Sequence, residues 1–197
     1  MGTSAGIAYD YLFKVHPWHF FGWLKLSAKG ALYWERLPAS ALRVAKNVSK
    51  IAEYCQFGYD IPDAFQSFRS VIEKYRKPPS TETPLWVEIS RAVSHAVFLT
   101  EFGRCYIFKR SRSSLAELIG TVATLFASSH ELYVLLTKPK EIMWESKAQF
   151  THKISNVALV VLSLYSFYRG VNEFSPNLAI FFTTTSLSSH FVMYYNT

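Results

Sequence analysis

Residues 154–197 read ISNVALVVLSLYSFYRGVNEFSPNLAIFFTTTSLSSHFVMYYNT, and the only formal charges in these 44 residues are Arg169 and Glu173. Ile154 to Tyr168 is uncharged, and the aliphatic stem of Arg169 lets an apolar span extend to about Asn172. Gly170 to Pro176 predicts a turn, with Ser175 as cap and Pro176 in the first position of a second helix. Leu178 to Tyr195 then adds eighteen uncharged residues. Tyr165, Phe167 and Tyr168 fall near one end of this hairpin and Tyr194 and Tyr195 near the other, where aromatic belts meet the membrane–water interface. Hydroxyls at Thr183, Thr184, Thr185, Ser186, Ser188 and Ser189 can bond back to the preceding turn, and small polar residues favour helix–helix contact in a bilayer. The expectation is a C-terminal hydrophobic helical hairpin in a membrane. A buried hairpin in a soluble helical bundle is the alternative that the same residues accommodate.

Outward from that hairpin the chain changes character. Its 197 residues carry a net charge of +7, and all but two of the charged side chains lie before residue 154. Only 18% of residues are charged, against roughly a quarter in ordinary soluble domains, and the mean hydropathy is +0.08. Thirty-three aromatic residues demand burial and exclude a disordered chain. Two cysteines, Cys55 and Cys105, are too few for a disulfide framework, a cysteine-rich zinc module or an iron–sulfur cluster. A basic body before an uncharged tail points to an anionic leaflet. Nucleic acid is not expected as a partner, because the basic residues are scattered and an arginine stripe on a soluble fold is lacking.

Four segments follow from the punctuation. Residues 1–38 form an aromatic and basic N-terminal arm, with Trp18, Phe20, Phe21 and Trp23 interleaved with Lys14, His16, His19, Lys25 and Lys29. That composition suits a helix at the membrane surface or an arm packed on the body. The first residues lack the pattern of a secretory signal, so internal segments are expected to direct membrane entry.

Residues 39–79 predict paired amphipathic helices. After Pro38, with Ser40 as cap, apolar residues recur at Ala41, Val44, Ala45, Val48, Ile51, Ala52 and Cys55, and Gly58 closes the helix. Ile61, Ala64, Phe65, Phe68, Val71, Ile72 and Tyr75 repeat the spacing until Pro78-Pro79. Basic amphipathic helices serve both core packing and lipid binding.

Residues 84–153 predict a helical membrane-associated region. Thr83 caps a helix with Pro84 at its first position, running to Phe108, and a basic turn follows at Lys109-Arg110-Ser111-Arg112. Ser114 and Glu117 have the spacing of a capping box for a helix through about Thr137. Its charge-free core, Leu118 to Ser129, is short for a bilayer, and Glu131 and His130 would need partners or an interface. Residues 154–197 form the hairpin.

No phosphate loop, dinucleotide fingerprint, zinc-protease motif or nucleophile elbow occurs. His16-Pro17-Trp18-His19 lacks a carboxylate or thiolate beside it, and His95, His130, His152 and His190 are read as isolated on separate helices. No catalytic residue, cofactor or metal is expected. Glu101, Glu117, His130 and Glu131 are the polar residues that an enzyme or channel would need to bring together.

The order of features resembles the peroxisomal membrane-elongation factor family, peroxin eleven and its glycosomal relatives. The likeness runs through Ala41-Leu42-Arg43-Val44-Ala45-Lys46, Ala96-Val97-Phe98-Leu99-Thr100-Glu101-Phe102-Gly103-Arg104, the Ser114–Leu136 helix and the closing hairpin with Ser188-Ser189. Phe21-Gly22-Trp23-Leu24-Lys25 stands where the family has a Gly-Arg-Asp-Lys type motif. The resemblance implies a peroxisome-type membrane protein whose amphipathic helices wedge into the cytosolic leaflet and promote elongation. Arg43, Lys46 and Lys50 would hold lipid headgroups while Val44, Val48, Ile51, Phe65 and Phe68 insert.

The reading is therefore an all-α, membrane-associated, non-catalytic protein that shapes or organises an organelle membrane. Its expected partners are lipids, further copies of itself or other membrane proteins. The alternative is an accessory helical subunit of a large membrane complex, such as a respiratory assembly in the mitochondrial inner membrane.

Overall fold

The computed structural model describes residues 4–33, 37–76, 83–111, 113–137, 144–171 and 175–195. Every regular element among them is helical: α1 (Ser4–Asp10), α2 (Pro17–Tyr33), α3 (Ala39–Arg76), α4 (Leu85–Phe102), α5 (Ser114–Thr137), α6 (Trp144–Arg169) and α7 (Pro176–Tyr195). Wide π-helical turns at Tyr11–Val15 and Gly103–Ile107 are closed by the bonds His16 N–H to Tyr11 O, 2.8 Å, and Phe108 N–H to Gly103 O, 3.0 Å. The Pro78-Pro79 stop, Arg112 of the basic turn, Glu173 and the Lys138-Pro139-Lys140 break lie outside the described residues.

The expected pair of helices over 39–79 is one continuous helix. α3 passes through Gly58 and carries Pro62 inside it. Proline lacks the N–H that would bond the carbonyl four residues earlier, and its ring crowds that carbonyl, which here belongs to Gly58. Gly58 is exposed, so water can take up the freed acceptor. Helix start signals are also displaced, by two residues at α3 and by one at α4. Leu42 N–H bonds Pro38 O at 3.1 Å, so Ser40 lies in the first turn of α3. At α4 Pro84 is extended (φ −61°, ψ 149°) and takes the capping position, with Val87 N–H on its carbonyl at 3.1 Å. Pro176 does open α7, and the hydroxyls of Thr183, Thr184 and Thr185 bond the carbonyls four residues back at 2.7, 2.8 and 2.8 Å.

The chain divides into two compact units. The first comprises residues 1–58, 139–156 and 176–197. Here the N-terminal arm is helical and packed on the body. Tyr11 is fully buried, and Gly22 lets α2 approach α7, since a β-carbon there would stand 3.3 Å from Leu187 Cδ2. Lys25 reaches Glu53 of α3 at 3.1 Å. The second unit comprises residues 59–138 and 157–175, with α4 against α5 as its main packing.

The interior is built from small side chains. Among the described residues, eight of the twelve buried apolar residues are alanines: Ala28, Ala45, Ala52, Ala64, Ala92, Ala123, Ala127 and Ala148. Large apolar side chains are instead exposed on α3, α4 and α5, with Phe65 at 70% and Leu115 at 65%.

If α3 is continuous at Gly58, Gly58→Ala should stabilise the protein by about 0.5–1 kcal/mol, because a β-carbon there meets open space and glycine is the poorer helix former. A thermal melt in detergent should show the midpoint rising by a few degrees. A lowered midpoint would mean the helix breaks at this residue.

Candidate functional site

In the second unit, α5 is turned inside out relative to a soluble amphipathic helix. Its buried residues are Gly120, Ala123 and Ala127, whereas Leu115, Ile119, Phe126, Tyr133 and Leu136 are exposed. The spacing Gly120, Ala123, Thr124, Ala127 lays small residues along one face, the pattern that brings helix backbones together. The approach is close. A β-carbon on Gly120 would lie 2.8 Å from Val97 Cγ1 of α4. Beside it the hydroxyls of Ser94 and Thr124 share a hydrogen bond of 2.6 Å, and Thr124 also donates to Gly120 O at 2.8 Å.

Charges that interrupt the two helices are matched across the same seam. Arg91 of α4 donates to Glu131 of α5 at 2.5 Å and to Glu88 at 3.1 Å. Glu88, buried, also receives Lys74 Nζ at 3.3 Å, and the same ammonium donates to Thr83 O at 2.7 Å. The acidic residue expected to need a partner thus has one, and His130 packs edge-on against Trp86 with ring centroids 5.2 Å apart. Burying a carboxylate in an apolar setting is tolerated only with such pairing.

The start of α5 is capped by a different set of residues from the expected Ser114 and Glu117 box. Ser113 Oγ accepts from Ala116 N–H at 3.4 Å, and its own N–H donates to Glu101 Oε2 of α4 at 2.6 Å. A carboxylate from a neighbouring helix does what Glu117 was expected to do. Glu101 and Glu117 both line a cavity of about 300 Å³ between α4, α5 and α6, walled by Val97, Phe98, Phe102 and Leu159. Glu131 and His130 do not join them there, so the four polar residues do not converge on one site.

On α3, Arg43, Lys46 and Lys50 are exposed, as are Val44, Ile51, Phe65 and Phe68, while Val48 is half-buried. Ala45 and Ala52 form the buried face, so the predicted insertion residues point away from the protein. At 3.6 residues per turn, Val44, Val48 and Ile51 share one face, with Arg43, Lys46 and Lys50 well round the cylinder from them.

The first unit holds a constellation that sequence reading missed. His152 and His190, expected to be isolated, come together with His16 and His19 around Tyr11. Ring centroids lie 4.2 Å apart for His19 and His190, 4.9 Å for His16 and His190, and 5.3 Å for His152 and His190. Tyr11 Oη is 2.9 Å from His19 Nδ1 and 3.0 Å from His190 Nδ1. His152 Nδ1 faces Ser186 O at 3.0 Å, and its Nε2 meets Asn156 Nδ2 at 3.2 Å. Burial, reinforced by the neighbouring imidazoles, pushes His19 down to about 3, and burial lowers His16 as well. Burial raises the Tyr11 phenol above its ordinary range. No three histidine, cysteine or carboxylate side chains among the described residues are placed to hold a metal ion. The chain matches no protein family, no curated protein and no solved structure.

Gly120→Ala should destabilise the α4–α5 pair by about 1–3 kcal/mol through overpacking against Val97. Val97→Ala in the same chain should return most of that loss, and a double-mutant cycle on thermal melts in detergent measures it. Additive losses would contradict the close contact.

Proposed function

We propose that this chain is a non-catalytic helical membrane protein, anchored by α5, that shapes or organises an organelle membrane. The observation that carries the reading is the inverted burial of α5, with glycine and alanine inside and leucine, isoleucine, phenylalanine and tyrosine outside. In water that arrangement discards the hydrophobic driving force, whereas in hydrocarbon large apolar side chains are at ease and close packing of small residues joins helices. Among the described helices, only α5 is long and apolar enough to cross a membrane. Its 24 residues span roughly 36 Å, enough for a hydrocarbon core of about 30 Å. On this reading α5 takes the spanning role expected of the C-terminal hairpin, and Arg91 neutralises Glu131 beside the apolar segment.

The shaping role rests on α3 and on the resemblance to the peroxisomal elongation factors. Its exposed Val44, Ile51, Phe65 and Phe68 offer apolar area to one leaflet, and Arg43, Lys46 and Lys50 offer charge to anionic headgroups. A peroxisome-type membrane is the address that the resemblance favours. The ring pair Tyr9 and Phe13, exposed at 57% and 50%, suits the second reading, a subunit docked in a larger membrane assembly.

Phe126→Arg separates hydrocarbon from water. Phe126 is 57% exposed, so in a water-facing helix the change should move stability by no more than about 0.5 kcal/mol. In a spanning helix it should cost about 2.5–3.5 kcal/mol of insertion free energy. Alkaline carbonate extraction of cells expressing both forms reads the outcome: wild type in the pellet, the variant shifted to the supernatant. Equal extraction of both would sink the anchor.

For shaping, the purified full chain should tubulate giant vesicles containing anionic lipid, and Val44→Asp with Ile51→Asp should abolish this while leaving membrane retention intact. Unaltered tubulation by the double variant would remove α3 from the mechanism. A chain that is unstable unless co-expressed with other subunits would favour the assembly reading.

A further inference from the structure

We propose that the histidine–tyrosine cluster of the first unit is an acid-released clasp: it holds residues 4–33 against α6 and α7 at neutral pH and frees them on acidification to bind an anionic lipid surface. The lipid half of this proposal rests on the membrane reading above, and the clasp itself does not.

The hydrogen bonds determine why protons open it. One phenol proton serves two contacts, Tyr11 Oη with His19 Nδ1 at 2.9 Å and with His190 Nδ1 at 3.0 Å. One ring therefore accepts the phenol proton, and the other donates its Nδ1–H to the phenol oxygen. Once the accepting ring becomes an imidazolium, both rings are donors and the buried phenol proton has no acceptor. His152 is constrained in the same way. Its Nδ1 faces the Ser186 carbonyl at 3.0 Å and must donate, so its Nε2 accepts from Asn156 Nδ2 at 3.2 Å while Asn156 Oδ1 takes the Ser186 hydroxyl at 2.8 Å. A proton on that Nε2 would confront a donor. His16 Nδ1 is buried without a hydrogen-bond partner.

Among the described residues, no carboxylate acts on the His19 or His190 ring. From α1 and the following turn, Asp10 and Lys14 pair with each other on the surface at 2.6 Å. From α2 and α3, Lys25 and Glu53 form their own pair. Lys153 of α6 adds a positive influence on the His190 ring, and α7 contributes Tyr194, whose ring centroid is 5.1 Å from that of Tyr11. Any imidazolium formed here is a buried charge among three other bases.

The sign follows from the lowered His19 value. Well above pH 6.5 the ring is neutral whether the segment is docked or released, and docking is at full strength. Between there and about 3 the released form binds a proton that the docked form refuses, so docking weakens about tenfold per pH unit for each such ring. From pH 6.5, where the released ring is already half-protonated, to pH 5, His19 alone gives a change of about 16-fold. The freed segment carries Trp18, Phe20, Phe21 and Trp23 among Lys14, Lys25 and Lys29, a composition suited to an anionic interface.

The test uses the full chain in neutral detergent micelles, with hydrogen exchange of residues 4–33 followed by mass spectrometry and corrected for the intrinsic pH dependence of exchange. Protection in this segment should fall by about 16-fold or more between pH 6.5 and 5. Replacing His19→Asn together with His190→Asn keeps amide partners for the phenol but no titration, and should flatten the profile. Tyr11→Phe, which keeps the ring and removes the hydroxyl, should move opening to higher pH. Wild-type protection that persists to pH 4.5 would overturn the clasp, as would identical profiles in the asparagine variant. Should that variant not fold, an unmoved midpoint in Tyr11→Phe overturns it equally.

The lipid half is read separately in nanodiscs. The tryptophan emission that Trp18→Phe with Trp23→Phe removes should be quenched by brominated phosphatidylserine at pH 5 and not at pH 7.5. Opening in micelles without that quenching would refute lipid binding and leave the clasp standing. Failure of the carbonate test on α5 would count against the anchor alone.

Discussion

Gly120 sets how closely α5 approaches α4. With no β-carbon at that position, Val97 fills the space, and the two backbones come near enough for Ser94 and Thr124 to share a proton at 2.6 Å. The same proximity lets Arg91 reach Glu131 and lets Glu101 cap the first turn of α5 through Ser113. A larger residue at position 120 would lengthen all three contacts together. The second unit thus depends on one glycine, and its polar pairs are consequences of that approach and do not cause it. Buried ion pairs rarely supply net stability, so the apolar contact must come first.

Once small residues occupy the seam, the large apolar ones have nowhere to go but outward. Leu115, Ile119, Phe126, Tyr133 and Leu136 cannot be inside a helix whose inner face is glycine and alanine. Exposed apolar patches of this extent mark a surface that is covered in use. The proposal that lipid covers α5 follows from this geometry more directly than from hydropathy, because hydropathy does not distinguish which face a leucine occupies.

The sequence made the helical class legible, since the 3-1-3 spacing in residues 41–55 and 61–75 has no other regular solution. It misled at Gly58, which reads as a stop although the helix runs on through it and past Pro62, leaving the Gly58 carbonyl without its in-helix donor. Helix starts at Thr83 and Ser114 were misplaced by one residue, and that at Ser40 by two, because backbone carbonyls of Pro38 and Pro84, and Ser113 with a carboxylate from another helix, serve the first turns. None of these substitutions has a local signature. The histidine cluster was illegible for the same reason. His19 and His190 are 171 positions apart, and only the docking of α2 on α7 brings them to 4.2 Å. A weak signal did exist, since Ser186, Ser189 and His190 fall on adjacent sides of one helix.

That seam also explains why the most uncharged stretch of the chain is not its most apolar helix. α7 buries Ser186 and Ser189 and turns His190 toward Tyr11, so the residues that free it of charge are hydroxyls and an imidazole serving an interior polar network. Absence of charge and preference for hydrocarbon are separate properties. α5 combines a low charge with leucine, isoleucine and phenylalanine on its outer face, whereas α7 combines it with side chains that hydrogen-bond inward. The two helices look alike in a count of charged residues and differ in what their inner faces do: one inner face is small so that helices can touch, and the other is polar so that imidazoles can meet.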